Sequence, residues 1–182
     1  MSTSPEPILI LTGAPGSGKT TVARLLAERA DRAVHVESDC FFHFIASGHV
    51  DPWKPESQAQ NKTVMQIIGE VAVGYGRAGY QTIVDGIIIP GWFFEPLRDA
   101  LDASGFDVAY AVLRPPLAVA VERAAGRRSN RLPDAMVVEQ LWNGFSDLGA
   151  LERHAIEMTK HQTAEQTADL VAERLASGTL TT

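Results

Sequence analysis

Residues 8–30 read ILILTGAPGSGKTTVARLLAERA, and the stretch GAPGSGKT at 13–20 decides the fold. Gly13, Gly18, Lys19 and Thr20 satisfy G-x-x-x-x-G-K-[ST], the pattern of a phosphate-binding loop. Glycines let backbone N–H groups turn inward around phosphate oxygens, and the helix that follows aims its positive end at the same anion. Lys19 is expected on the β- and γ-phosphates, with a catalytic part, and the Thr20 hydroxyl on Mg²⁺. Gly13, Ala14, Pro15, Gly16, Ser17, Gly18, Lys19, Thr20 and Thr21 are therefore the expected nucleotide cradle. The context fits: Pro7–Thr12 is an apolar strand, and Val22, Leu25 and Leu26 share one face of the next helix. A glycine-rich turn that matched by chance would lack both neighbours.

Working outward, apolar runs alternate with helical patterns. Ala33–Glu37 reads as a second strand, Gln81–Asp85 as a third, Asp107–Leu113 as a fourth and His154–Met158 as a fifth. Ser57 and Gln60 have capping-box spacing before a helix striped by Val64, Ile67, Ile68, Val71 and Tyr75 and closed by Gly79. Pro115–Ala125 reads as a helix, Gly126–Pro133 as a polar, basic loop, and Asp134–Phe145 as a helix with Val138, Leu141, Trp142 and Phe145 at helical spacing. Thr163 and Gln166 form a second capping box before a helix that stops near Gly178. This alternation predicts an α/β chain, a parallel sheet with helices on both faces, in one domain spanning 1–182. The first seven residues and the tail after Gly178 read as loose ends.

Composition narrows the partners. The 182 residues carry a net charge of −6 and no run of lysine or arginine, which argues against nucleic acid and anionic membrane. No stretch approaches the roughly 20 apolar residues of a membrane span. One cysteine, Cys40, and no visible secretory signal suggest the cytoplasm; a monomer or homodimer is expected.

Two aspartates follow strands, where ligands gather in open α/β sheets. Asp39, in VHVESDCFF, can take a proton from an attacking hydroxyl or bind the magnesium water shell; alternatively it caps a helix starting at Cys40. Asp85, in QTIVDGIIIPGWF, has the shape of a magnesium-ordering strand end, but also of an Asp-Gly turn, and could bind a substrate hydroxyl. Arg123, Arg127, Arg128 and Arg131 crowd ERAAGRRSNR; some belong to a solvated basic loop, while Arg123 and Arg127 share a helix face and are expected to meet the γ-phosphate. His43, His49, Trp53, Trp92, Phe93 and Phe94 either line an acceptor pocket or are core aromatics and surface histidines.

The loop, an aspartate after the second strand, Asp-Gly after the third and an arginine-rich segment before a late helix resemble the small P-loop kinases. That group includes shikimate kinase, gluconate kinase and chloramphenicol phosphotransferase. The resemblance spans nearly the whole chain. It implies a P-loop NTPase fold with a five-stranded parallel sheet, an acceptor-binding segment at about 40–78 and a short lid at about 126–133. It implies ATP and Mg²⁺ as cofactors, Asp39 as base or, with Thr20, magnesium organiser, and Arg123 and Arg127 facing the nucleotide. The acceptor would meet Asp39, Phe42, Trp53, Asp85, Gly86 and Trp92, and Lys160–Gln162 would border the adenine. Shikimate kinase has paired aspartates after its second strand and a glycine triplet after its third. Here stand Glu37-Ser38-Asp39 and Asp85-Gly86-Ile87, which argues against shikimate.

A kinase acting on a small-molecule acceptor is the leading expectation. A nucleoside monophosphate kinase must hold its acceptor's phosphate, usually with arginine. Between Ser38 and Ala100 the basic residues, histidines aside, are Lys54, Lys62, Arg77 and Arg98. That scarcity favours a weakly charged acceptor such as a nucleoside, a sugar-like alcohol or an antibiotic. A guanine-reading switch should carry Asn-Lys-x-Asp, and Asn61-Lys62-Thr63-Val64 lacks the aspartate.

Overall fold

Apolar strands packed on both faces suit a parallel sheet, and here they form one. The computed structural model describes residues 6–126 and 135–182. Among these, β1 (Ile8–Thr12), β2 (Ala33–Glu37), β3 (Gln81–Gly86), β4 (Val108–Arg114) and β5 (Ala155–Glu157) form a five-stranded sheet in the order β2-β3-β1-β4-β5. The pairings are parallel, and β1 is buried throughout.

Helices α1 (Lys19–Arg29), α2 (Ser38–His43), α3 (Gln58–Arg77), α4 (Phe94–Asp102), α5 (Leu117–Ala125), α6 (Ala135–Asn143) and α7 (Ala164–Ala176) surround it. Because strand side chains alternate between faces, Leu9, Leu11 and Ile83 pack with Val22, Leu26 and Val171 of α1 and α7. Ile10, Val84 and Val36 pack on the opposite face with Ile68 of α3 and Leu97 of α4. The P-loop NTPase expectation therefore holds, and the loop at 13–18 sits between β1 and α1 at the carboxyl ends of the strands, where a ligand crevice forms.

Several elements differ from expectation. Helix α4 was not foreseen; its Pro96 lies in the first turn, where proline is tolerated. Its presence turns α3: a Cβ at Gly69 would lie 2.7 Å from the Ala100 Cβ, so the helices meet at this glycine. The buried face of α3 consequently runs through Val64, Met65, Ile68, Gly69 and Ala72, while Ile67 and Tyr75 are exposed. The Ser57/Gln60 capping box does not form. A 3-10 turn at Pro55–Ser57 leads into α3, the Ser57 hydroxyl donates to the Pro52 and Lys54 carbonyls, and Gln60 brackets the Val50 backbone. Helix α2 starts at Ser38, two residues before the anticipated start at Cys40, so Asp39 lies inside it rather than capping it. The fifth strand is only Ala155–Glu157, because a 3-10 turn holds Gly149–His154.

The short β5 leaves the first half of β4 with an open edge. The C-terminal tail fills it, correcting the loose-end expectation: Tyr110 N–H donates to Leu180 O, Thr182 N–H to Val108 O, and Leu180 is buried. The capping box at Thr163 forms as read from sequence, with the Thr163 hydroxyl accepting from Gln166 N–H and the Gln166 side chain reaching back. Thr163→Ala should therefore lower unfolding free energy by about 1 kcal/mol in a denaturant titration.

His154 is fully buried under this tail, its Nδ1 3.1 Å from Tyr110 O. Burial, and then the Arg153 guanidinium, pushes its pKa below the ordinary imidazole value. The unfolded chain, with an imidazole pKa of about 6.5, thus binds this proton first as pH falls. The stability of neutral, buried His154 is whole above about pH 6.5 and declines as pH drops below it. His154→Gln should flatten the pH dependence of the denaturation midpoint in that acid window; an unchanged slope would contradict this assignment.

Candidate active site

The loop's conformation is built for an anion. Gly18 has φ +87°, a left-handed backbone that side chains strain, although no atom stands within 4 Å of where its Cβ would be. Gly16 is left-handed as well, at φ +82°, and lacks space besides, since a Cβ would lie 2.1 Å from the Ala120 carbonyl of α5. No side chain caps α1, which leaves its first N–H groups for a ligand. Lys19 is 5% exposed, and the buried Ser17 hydroxyl has no hydrogen-bond partner among the described residues. An orphaned buried hydroxyl beside the uncapped first N–H groups of α1 is a donor set a polyphosphate satisfies.

Beside the loop opens a cavity of about 270 Å³ bordered by Ser17, Gly18, Thr21, Arg123, Met158 and Gln162. Its volume lies just under the roughly 300–1,000 Å³ of ligand clefts, and one side is open. Arg123 reaches it from the last turn of α5. Gln162 reaches it from the β5–α7 connection, where its Nε2 donates to Thr167 Oγ1 at 3.1 Å and its Oε1 accepts from Thr159 N–H at 3.3 Å. Of the residues expected near a base and phosphates, Arg123 and Gln162 are thus together; Arg127 and most of the expected lid at 126–133 fall outside the described residues.

Asp85 stands next to the last residue of β3, in register with Leu11 and Glu37, and shares a strand face with Ile83, so it lies on the face that α1 covers. It is 3% exposed. The chain after it is pinned: Thr12 Oγ1 accepts from Ile88 N–H at 2.8 Å, and the Tyr110 hydroxyl donates to Ile88 O at 2.8 Å. Burial, and then Glu95, pushes the Tyr110 phenol well above its ordinary pKa, keeping it a donor. A Cβ on Gly86 would meet Ser38 Oγ, so β3 and α2 join without a gap. His35 Nε2 stands 3.0 Å from Asp85 Oδ2, while Oδ1 has no hydrogen-bond partner among the described residues.

Magnesium fits these residues. Hard cations with bound nucleotide take one or two protein oxygens plus phosphates and water rather than a full cage. Among the described residues no cluster of three or more His, Cys, Asp or Glu could hold a metal by itself. Of the residues named above, Thr20, Asp39 and Asp85, whose Oδ1 has no hydrogen-bond partner among the described residues, carry the oxygens that would hold it.

Asp39 is exposed in the first turn of α2 and makes no hydrogen bond or ion pair among the described residues. The expected acceptor aromatics divide. Phe42 is buried against Phe93 with ring centroids 5.9 Å apart, and Trp92 stacks on Phe93 at 4.0 Å, so both belong to the core layer. Trp53 is 70% exposed on the segment before α3. His35 and Arg114 were not singled out from sequence. The signal for His35 was its place two residues before Glu37 on one strand face. Arg114, ending β4, binds Glu157, Glu152 and the Phe145 and Ser146 carbonyls, which fastens the return from α6.

Among the described residues no helix is long and apolar enough to cross a membrane. No curated protein sequence matches the chain. Among solved structures it is similar to a sugar kinase from Janibacter sp. HTCC2649, with a TM-score of 0.70, 20% identity and 94% of this chain on 95% of that one. The tunicamycin resistance protein of Deinococcus radiodurans aligns with a TM-score of 0.68, 18% identity and 93% on 95%. A gluconokinase from Sinorhizobium meliloti 1021 aligns with a TM-score of 0.67, 17% identity and 96% on 94%. At these identities the likeness is one of fold. A family model described as an AAA domain matches residues 8–148, well over half of the chain, and the protein belongs to that family of P-loop domains.

Proposed function

We propose that the protein is an ATP-dependent kinase that transfers the γ-phosphoryl group to a hydroxyl of a small, weakly charged molecule. The observation that carries the acceptor class is how few basic groups the segment 38–100 holds and that, of Lys54, Lys62, Arg77 and Arg98, Lys62 alone is neither in an ion pair among the described residues nor at a helix end. Lys54 pairs with Asp51 at 3.2 Å, and Arg98 pairs with Asp102 at 3.6 Å and lies over the Phe94 ring. Arg77 sits in the last turn of α3, where a cation complements the helix end. A phosphorylated acceptor would need such groups as partners. The similar folds called sugar kinase, gluconokinase and tunicamycin resistance protein agree with a small-molecule acceptor.

In this reading the loop N–H groups and Lys19 hold the triphosphate, and Arg123 approaches from the cavity side, with Arg127 as its expected companion. The acceptor oxygen attacks the γ-phosphorus, the bond to the β–γ bridging oxygen breaks, ADP leaves, and the hydroxyl proton passes to Asp39. Magnesium, when bound through Thr20 and the rim carboxylates, neutralises phosphate charge. Most of the rate comes from positioning and electrostatics.

ATP consumption measured against a panel of nucleosides, polyols, aminoglycoside-like and other antibiotics, and nucleoside monophosphates tests the reading. Turnover stimulated by an uncharged alcohol is expected. Preferential turnover of a nucleoside monophosphate would overturn the acceptor class, and slow hydrolysis indifferent to every acceptor would favour a nucleotide-dependent switch.

A further inference from the structure

The His35–Asp85 pair is buried more deeply than its chemistry requires of a surface contact. His35 is 13% and Asp85 3% exposed, on the α1 side of the sheet. An ionised carboxylate only accepts, so His35 Nε2 carries the hydrogen and donates to Oδ2 across 3.0 Å. The other ring nitrogen stands 4.0 Å from Glu37 Oε1, beyond hydrogen-bond reach. A buried carboxylate kept only for stability should have both oxygens satisfied, because an unpaired buried acceptor is costly. Here one oxygen is fixed and the other has no hydrogen-bond partner among the described residues. The free oxygen belongs to the strand position level with Leu11, two residues before the phosphate loop begins.

We propose that His35 is a positioning residue for Asp85: it locks one carboxylate oxygen and so keeps the other for the water shell of the nucleotide's magnesium. The inference rests on the nucleotide-site reading above. The terminal carboxylate torsion is broad, so an unrestrained Asp85 would sample orientations that waste its second oxygen. Partners that hydrogen-bond a metal-organising group typically change metal affinity when removed, even though they never touch the metal.

The test uses the full chain and ADP, without acceptor. ADP affinity is measured by calorimetry in EDTA and across a Mg²⁺ titration, and Mn²⁺ occupancy is read by electron paramagnetic resonance. His35→Ala should raise the metal concentration for half-maximal enhancement of ADP binding about tenfold. Affinity in EDTA should not change. His35→Gln, whose amide N–H can reach Asp85, should recover most of the effect, and adding His35→Ala to Asp85→Asn should cost nothing further. Should His35→Ala fail to fold, His35→Asn, polar but too short to reach, replaces it. Wild-type metal dependence in the variants would overturn the proposal alone, as would an equal loss of ADP affinity in EDTA. A wild-type chain whose ADP binding ignores Mg²⁺ would likewise overturn the proposal, and one that binds no ADP would overturn the nucleotide-site reading itself.

Discussion

Lys19→Met is expected to fold normally and to lose transfer, with kcat lowered by about 10²–10³-fold, the usual cost of removing one preorganised charge from a transition state. The expectation follows from where Lys19 stands. It opens α1 directly after Gly18, is nearly buried, and shares the rim with the uncapped N–H groups of that helix. Methionine keeps the apolar stem that packs along the loop while removing the ammonium. The loss should fall on kcat more than on the acceptor KM, because the lysine meets the β- and γ-phosphates and not the acceptor. Steady-state kinetics at saturating acceptor, paired with a thermal melt, would check both halves. A Lys19→Met chain with near wild-type kcat would mean that GAPGSGKT is not the phosphoryl donor site.

Asp39→Asn is the second large effect. A positioned general base contributes about 10²–10⁴-fold, so transfer should drop by that order while ATP binding persists. The structure separates this role from helix capping. The N-cap of α2 is Glu37, without a side-chain cap hydrogen bond, and Asp39 has no partner whose loss would destabilise the fold. Substitution at an exposed, unpartnered site should leave stability within about 0.5 kcal/mol of wild type. Single-turnover transfer and equilibrium ATP binding, measured on the same preparation, distinguish the cases. Intact transfer would remove Asp39 from the chemistry.

The loop, the strand that feeds it and the helix that leaves it could be read from sequence because their determinants are local: glycines for backbone shape, an apolar run, a 3.6-residue stripe. The same holds for the four-residue stretch from Thr163 to Gln166, which closes its own hydrogen bonds. What escaped depended on contacts between distant segments. Ser57 and Gln60 have capping spacing, but the loop at 50–54 claims their side chains first. The buried face of α3 turns on Gly69 meeting Ala100, thirty-one positions away along the chain. The tail after Gly178 is short and polar in sequence, yet the open edge of β4 gives its backbone partners. Helix α4 was visible in principle, since Phe94, Leu97 and Leu101 recur at helical spacing, with Pro96 in a position a first turn accepts. His35 could not be tied to Asp85 without the strand pairing, because fifty residues separate them.

Phosphorus NMR of the working reaction tests the central claim most directly. With ATP, Mg²⁺ and the acceptor that best stimulates turnover, the γ-phosphate resonance should fall as a phosphomonoester resonance rises in equal amount, with little inorganic phosphate. Inorganic phosphate as the sole new product with every acceptor tried would contradict the account and leave the protein a nucleotide hydrolase.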